Sequence, residues 1–326
     1  MTSVNTNRGQ TRPVSIAPMM QRTDRHYRAM MRLLSRETLL YTEMLTANAV
    51  LHGNRSLLLD FDACEHPIAL QLGGDDPKAL AEAARIGADW GYDEINLNVG
   101  CPSNRVQTGC FGASLMRRPE RVAEIIAEIR ATVDVPVTVK HRIGVDELDR
   151  YEDMANFVSV VREASADRFS VHARKAWLNG LSPKDNRTIP PLRYDDVYRL
   201  KAEFPELVIE INGGITTLDE TATHLQHVDA VMIGRAAYDD PMLFGTVDSR
   251  FFGRPDLGRS RVEVAEAMLP YIEQAMKRPG TKLNHISRHL LNLFKGCYGG
   301  RNWRRIISEG AWRSDADWRL VERALE

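Results

Sequence analysis

Eight short β-type runs alternate with helix-type segments between Val14 and roughly Pro241, and no other feature restricts the fold so much. The runs fall at 14–17, 39–43, 68–72, 93–97, 137–140, 168–172, 208–211 and 230–233. Amphipathic segments at 77–86, 119–131, 152–164, 194–203 and 218–225 separate most of them. Strands divided by helices read as a parallel sheet. A count of eight favours an α/β fold of the closed (β/α)8 TIM-barrel type over an open sheet, for which about six strands are usual. After about Pro255 the strand signals stop, and 261–276, 282–294, 302–308 and 316–325 all read as helical, with Pro279-Gly280 and Gly299-Gly300 as breaks. The expected organisation is a disordered segment at 1–12, a barrel at 13–254 and a small all-helical domain at 255–326.

A barrel of this kind places its site at the carboxyl ends of its strands, so the polar residues at those positions are the candidates. In order they are Pro18-Met19-Met20, Gln71, Asn98 with Cys101, Lys140 with Arg142, His172, Asn212-Gly213-Gly214 and Gly234-Arg235. Any one of them reads equally well as a packing residue; their joint occurrence points to a site. Gly213 and Gly214 permit close backbone approach, Gly234 precedes a helix-type segment whose amides would face an anion, and Arg235 adds a fixed charge, which together make a phosphate cradle. Gln71 and Lys140 suit the polar edge of a flavin ring, where an ammonium stabilises the anionic reduced form. Met19 and Met20 would pack on the ring, or serve as plain core.

The run Asn96-Leu97-Asn98-Val99-Gly100-Cys101-Pro102-Ser103 carries an apolar strand directly into a Gly-Cys-Pro turn. A thiol at that position, with an ordinary pKa of about 8.5, is suited to act as a general acid at neutral pH or as a nucleophile. Segment 103–112 reads as a loop able to carry the thiol toward or away from a cofactor. The long polar insertion 174–193 reads as functional or disordered.

Composition narrows the rest. The four cysteines, Cys64, Cys101, Cys110 and Cys297, show neither Cys-x-x-Cys nor His-rich spacing, so neither a disulfide framework nor a metal site is expected. No apolar run approaches the ~18 residues of a membrane span and the first residues hold no signal-peptide core, so a cytoplasmic location is expected. The net charge of -1 conceals an asymmetry: 277–326 holds eleven basic and five acidic residues, a local surplus of six. Such a tail suits a solvated helical surface or a polyanionic partner.

These motifs resemble those of the tRNA-dihydrouridine synthases. The likeness covers almost all of the chain after residue 12, through Ala17-Pro18-Met19, Gln71-Leu72-Gly73, Asn96 to Pro102, Val139-Lys140-His141-Arg142, His172-Ala173-Arg174, Asn212-Gly213-Gly214-Ile215 and Met232 to Ala237. Segments 171–178 and 182–187 are similar to the branch acting on positions 20 and 20a of the tRNA D-loop. The resemblance implies FMN held by Pro18, Met19, Met20, Gln71, Lys140, His172, Asn212, Gly213, Gly214, Gly234 and Arg235, with NADPH as co-substrate. It implies hydride delivery to C6 of uracil and a proton from Cys101 to C5, with Asn98 and Arg142 at the uracil and flavin edges. The tRNA would meet Lys184 and Arg187 of the insertion, and Arg301, Arg304 and Arg305 on one helical face with Arg288, His289 and Lys295 nearby. A monomer needing no protein partner is expected. The run Gly296-Cys297-Tyr298-Gly299-Gly300 departs from the family pattern in its cysteine and aromatic residue and has no assigned role. Two other readings fit the residues in part: a flavin barrel reducing a free small molecule such as a pyrimidine, and a non-catalytic tRNA-binding protein.

Overall fold

The computed structural model describes residues 12–103 and 109–326. The expected N-terminal segment, Arg12 excepted, and residues 104–108 of the loop after Cys101 lie outside the described residues. Nine strands form one sheet in which every pairing is parallel: β1 (Val14–Ile16), β2 (Leu40–Tyr41), β3 (Leu45–Thr46), β4 (Ile68–Gly73), β5 (Glu94–Val99), β6 (Val137–Arg142), β7 (Arg168–His172), β8 (Ile209–Asn212) and β9 (Ala230–Ile233). The order runs β1-β9-β8-β7-β6-β5-β4-β2, and a parallel bridge between Ser15 and Leu39 brings β1 against the start of β2. The sheet therefore closes, giving the expected (β/α)8 TIM barrel.

The second stave is in two pieces rather than the single run expected at 39–43. Tyr41 pairs with Ala69 and Leu45 with Leu72, so four steps on one side face three on the other. One extra residue interrupts the ladder in the manner of a bulge. Thr42 repairs the gap: its N–H donates to Ala69 O and its Oγ1 accepts the N–H of Gln71. β5 and β6 each run two residues beyond their expected ends, which brings Asn98 and Arg142 into the ladder.

Side chains alternate across each strand, and in this barrel the alternation sorts them sharply. Ile95, Leu97, Val99, Val137 and Val139 join a large apolar cluster between the staves and the helices, and that cluster is continuous with Val264, Met268, Trp303 and Val321 of the tail. Among the described residues, Ala17, Leu39, Tyr41, Ala69 and Met232 form a separate small apolar cluster in the barrel lumen. Beside it lie buried charges. Arg168 Nη2 contacts Glu94 Oε1 at 2.6 Å and the Tyr41 hydroxyl at 2.7 Å, and Glu210 accepts from Ser15 Oγ at 2.5 Å and from Ser170 Oγ. Breaking such a buried pair from one side typically costs about 3–5 kcal/mol.

The tail contains the expected helix Arg261–Met276, opened by a Ser260/Glu263 capping box, followed by Leu283–Ser287, Gly300–Gly310 and Trp318–Leu325. The helix expected at 282–294 stops at Ser287. Beyond it the chain makes tighter turns, with Leu290 N–H on Ser287 O and Leu293 N–H on Leu290 O, because two side chains there are tied to the barrel. His289 Nε2 meets Asp24 Oδ2 at 2.9 Å, and Asn292 Nδ2 donates to Tyr238 O at 3.0 Å. Asp24 also caps the Arg25–Arg32 helix, accepting from the N–H groups of His26 and Tyr27. Its own burial works against ionisation, but the bond and charge of His289 hold its carboxyl down at about 2. His289 is buried at this junction, so the expected role in gripping phosphates is corrected.

Candidate active site

A cavity of about 620 Å³ opens at the carboxyl ends of the strands. Its lining includes Pro18, Met19, Met20, Gln71, Asn98, Cys101, Lys140, Arg142, His172, Arg187, Asn212, Gly213, Gly214, Gly234 and Arg235. The structure thus gathers into one wall residues drawn from across the sequence. Lys184, Arg301 and Arg304 are exposed and are not part of this lining, although Pro183, next to Lys184, is. Lys295 of the tail, expected beside the tRNA-facing arginines, lines it, as do Arg22, Asp239 and Asp240, which were not named as site residues from sequence.

The register explains the gathering. Asn98 pairs with Lys140, Arg142 with His172, and His172 with Asn212, so alternate residues of successive staves form rings facing the lumen. A chain of amides and hydroxyls fixes them. Asn98 Nδ2 donates to Gln71 Oε1, Gln71 Nε2 to Asn96 Oδ1, Asn96 Nδ2 to Thr138 Oγ1, and Thr138 Oγ1 to Glu94. Asn98 Oδ1 accepts the N–H groups of Gly100 at 3.1 Å and Cys101 at 3.0 Å, while Cys101 O accepts from Ala113. The thiol turn is therefore pinned from both sides, with Cys101 Sγ 3.5 Å from Ser103 Oγ.

Arg142 has a comparable role. Its Nε donates to Gly100 O and its Nη1 to the carbonyls of Lys175 and Asn186, so one guanidinium joins the thiol turn to the insertion. The insertion is organised around Asn186, whose side chain bonds Trp177, Leu181 and Ser182. The alternative of a disordered loop does not hold for it.

Lys140 Nζ donates to Asn212 Oδ1 at 3.1 Å, and Asn212 Nδ2 is fixed by Met232 O. Burial, reinforced by the neighbouring Arg142 charge, pushes the ammonium down to about 8. Burial followed by the charges of Arg142 and Lys140 holds His172 well below its ordinary value, so it is a neutral imidazole at pH 7. Its ring packs toward Gly213: a Cβ there would lie 3.2 Å from His172 Nε2, and one at Gly214 would meet Leu192 at 2.5 Å. Both glycines have positive φ, 119° and 74°, which side-chain-bearing residues rarely adopt.

A phosphate-bearing ligand fits this wall. The N–H groups of Gly214, Gly234 and Arg235 donate no hydrogen bond within the described residues. Among the described residues, six Lys or Arg side chains line the cavity against two carboxylates, Asp239 and Asp240. Arg235 is steadied over the cradle by donating to Arg187 O at 3.1 Å. The cavity volume is within the usual range for a small cofactor, roughly 300–1,000 Å³. Among the described residues no group of three or more acidic, His or Cys side chains is arranged to hold a metal, and no helix is long and apolar enough to cross a membrane.

A family model described as dihydrouridine synthase matches residues 15–326. The chain is 59% identical over 314 residues to the tRNA-dihydrouridine(20/20a) synthase of Synechocystis sp., covering 96% of this chain and 94% of that protein. It is 52% identical over 313 residues to the protein of the same name from Escherichia coli K12, covering 96% and 90%. Among solved structures, the 2-naphthoyl-CoA reductase complex has a similar fold, with a TM-score of 0.56 at 14% identity, across 77% of this chain and 51% of that one.

Proposed function

The chain belongs to the dihydrouridine synthase family, and from that membership we propose that it reduces the C5–C6 bond of uridines 20 and 20a in the tRNA D-loop, with FMN as cofactor and NADPH as reductant. The observation carrying this reading is the meeting of Cys101 with the cationic, glycine-lined wall in one cavity. FMN, when bound, supplies hydride chemistry at C6 of uracil. Gly213, Gly214, Gly234 and Arg235 would hold its phosphate, Pro18, Met19 and Met20 would pack on its ring, and Gln71, Lys140, His172 and Asn212 would meet its polar edge.

Cys101 delivers a proton from Sγ to C5, and Asn98 sets the angle of that delivery through the two N–H groups it holds. Arg142 keeps the thiol turn and the insertion in register at the uracil edge. Burial of Lys140 beside Arg142 makes an anionic partner favourable, because the wall is short of negative charge. The target uridine must leave its stack, at a cost on the order of a few kcal/mol that is smallest in a loop. Arg187 at the rim, Lys184 beyond it and the exposed Arg301 and Arg304 would steer the polyanion, making the helical segment after residue 254 the tRNA-facing part. The protein would act as a cytoplasmic monomer.

The test is anaerobic. NADPH-reduced protein is mixed with unmodified tRNA transcript or with free uridine, and flavin reoxidation and dihydrouridine are followed together, with Cys101→Ala alongside. Reoxidation with product from tRNA only, slowed in the variant, supports the reading. Turnover of free uridine would move the assignment to a small-molecule reductase, and a purified protein without flavin would remove the cofactor from it.

A further inference from the structure

Tyr298 projects into solvent with its side chain fully exposed, at 107% of the reference area. It sits on a hydrogen-bonded turn. Gly296 and Gly299 flank it with φ of 78° and 77°, and Gly300 lies so close to Phe294 O that a Cβ there would collide at 2.1 Å. Cys297 N–H donates to Phe294 O and Gly300 N–H to Cys297 O, closing the turn. Beneath it the Phe294 ring packs on Trp303, whose Nε1 donates to Leu290 O at 2.9 Å. An aromatic displayed on a closed turn leaves less of the backbone to be ordered on meeting a partner.

Its surroundings indicate the partner. Lys295, three residues earlier, lines the cavity, and three residues span at most about 10 Å. Arg301, Arg304 and Arg305 follow, all exposed. An uncovered ring among cations beside a cavity mouth is the arrangement that binds unpaired nucleic acid, with cations on the backbone and the ring under a base. We propose that Tyr298 stacks on an unpaired tRNA base neighbouring the uridine held in the cavity. This rests on the tRNA reading above and adds a base-stacking residue on the tail.

Equilibrium binding of unmodified tRNA transcript to the full-length protein, measured across a salt series, tests it. Tyr298→Ala should weaken binding about tenfold with an unchanged salt slope, since stacking releases no counterions, and Tyr298→Phe should bind within about twofold of the parent. Trp312, 75% exposed and beyond the far end of the Gly300–Gly310 helix, is the control, and Trp312→Ala should leave binding unchanged. Parent-like binding by Tyr298→Ala would overturn the proposal, as would a Phe variant as weak as Ala or an equal loss in Trp312→Ala. Failure of the parent itself to bind tRNA would overturn the functional reading and this proposal with it.

Discussion

Replacing Asn98 by Ala removes three hydrogen bonds at once and separates stability from geometry in a single residue. Asn98 is 8% exposed. Its loss leaves Gln71 Oε1 without a donor in a buried position on the cavity wall, and the N–H groups of Gly100 and Cys101 without an acceptor in half-buried ones. A buried unsatisfied group costs about 1–3 kcal/mol, and each part-exposed amide, which water reaches in part, about 0.5–1 kcal/mol, so the destabilisation should total about 2–5 kcal/mol. Asn98→Asp keeps both acceptor bonds to the turn and loses the donor to Gln71, setting a carboxylate oxygen against an amide oxygen. It should therefore lose comparable stability while retaining more activity. Misplacing a reacting group by about 1 Å costs on the order of a hundredfold in rate. Urea unfolding followed by tryptophan fluorescence gives the first quantity, and dihydrouridine formation under single-turnover conditions gives the second. An Ala variant within about 1 kcal/mol of the parent, or equal rates for Ala and Asp, would refute the assignment of Asn98 as the clamp of the thiol turn.

Lys140, with its ammonium pushed down to about 8, should lose its charge as pH rises through that value; dihydrouridine formation should decline above about pH 8, and Lys140→Arg should move the decline upward. His26, bonded to Tyr271 OH at 2.8 Å between barrel and tail, is held down at about 4 by burial despite the favourable charge of Asp24. The unfolded chain then binds a proton that the folded chain refuses, so stability should fall as pH drops from about 6.5 to about 4, with up to about 3 kcal/mol of the fall due to His26 and the rest to the buried His141 and His172; urea midpoints over that range should show the slope, and His26→Gln should reduce it without removing it. Arg304→Ala should weaken tRNA binding uniformly across tRNA sequences and lower the salt slope by about one, measured by filter binding at several ionic strengths.

The staves were legible because most are short runs between turn residues, divided by amphipathic segments, and the tail because its strand signals stop and Pro279-Gly280 and Gly299-Gly300 break it, with Ser260 and Asp317 capping two of its helices. The cavity residues were legible because strand ends in a barrel converge, so position along the chain translates into position in space. The lumen was not. Tyr41, Glu94, Arg168 and Glu210 read only as members of β-type runs, although the strict alternation in Glu94-Ile95-Asn96-Leu97-Asn98 carried the signal: in a stave covered on both faces, the polar alternates must meet one another inside. The division of the second stave followed from one added residue whose cost is absorbed by the Thr42 hydroxyl, a substitution visible only once Gln71 is opposite it. His289 was read as a surface cation because local sequence does not show that Asp24, 265 positions earlier, is its partner.

Barrel enzymes are often treated as a frame carrying exchangeable loops. Here the loops after β5 and β7 are a single replaceable part. The guanidinium of Arg142 is planar and needs the carbonyls of Gly100, Lys175 and Asn186 at set angles, which an ammonium in its place would not span. Grafting an insertion from a relative to alter tRNA preference would therefore disturb the thiol turn unless the donor loop brought both carbonyls to the same points, and successful chimaeras in this family should be those that move residues 100–103 and 174–193 together.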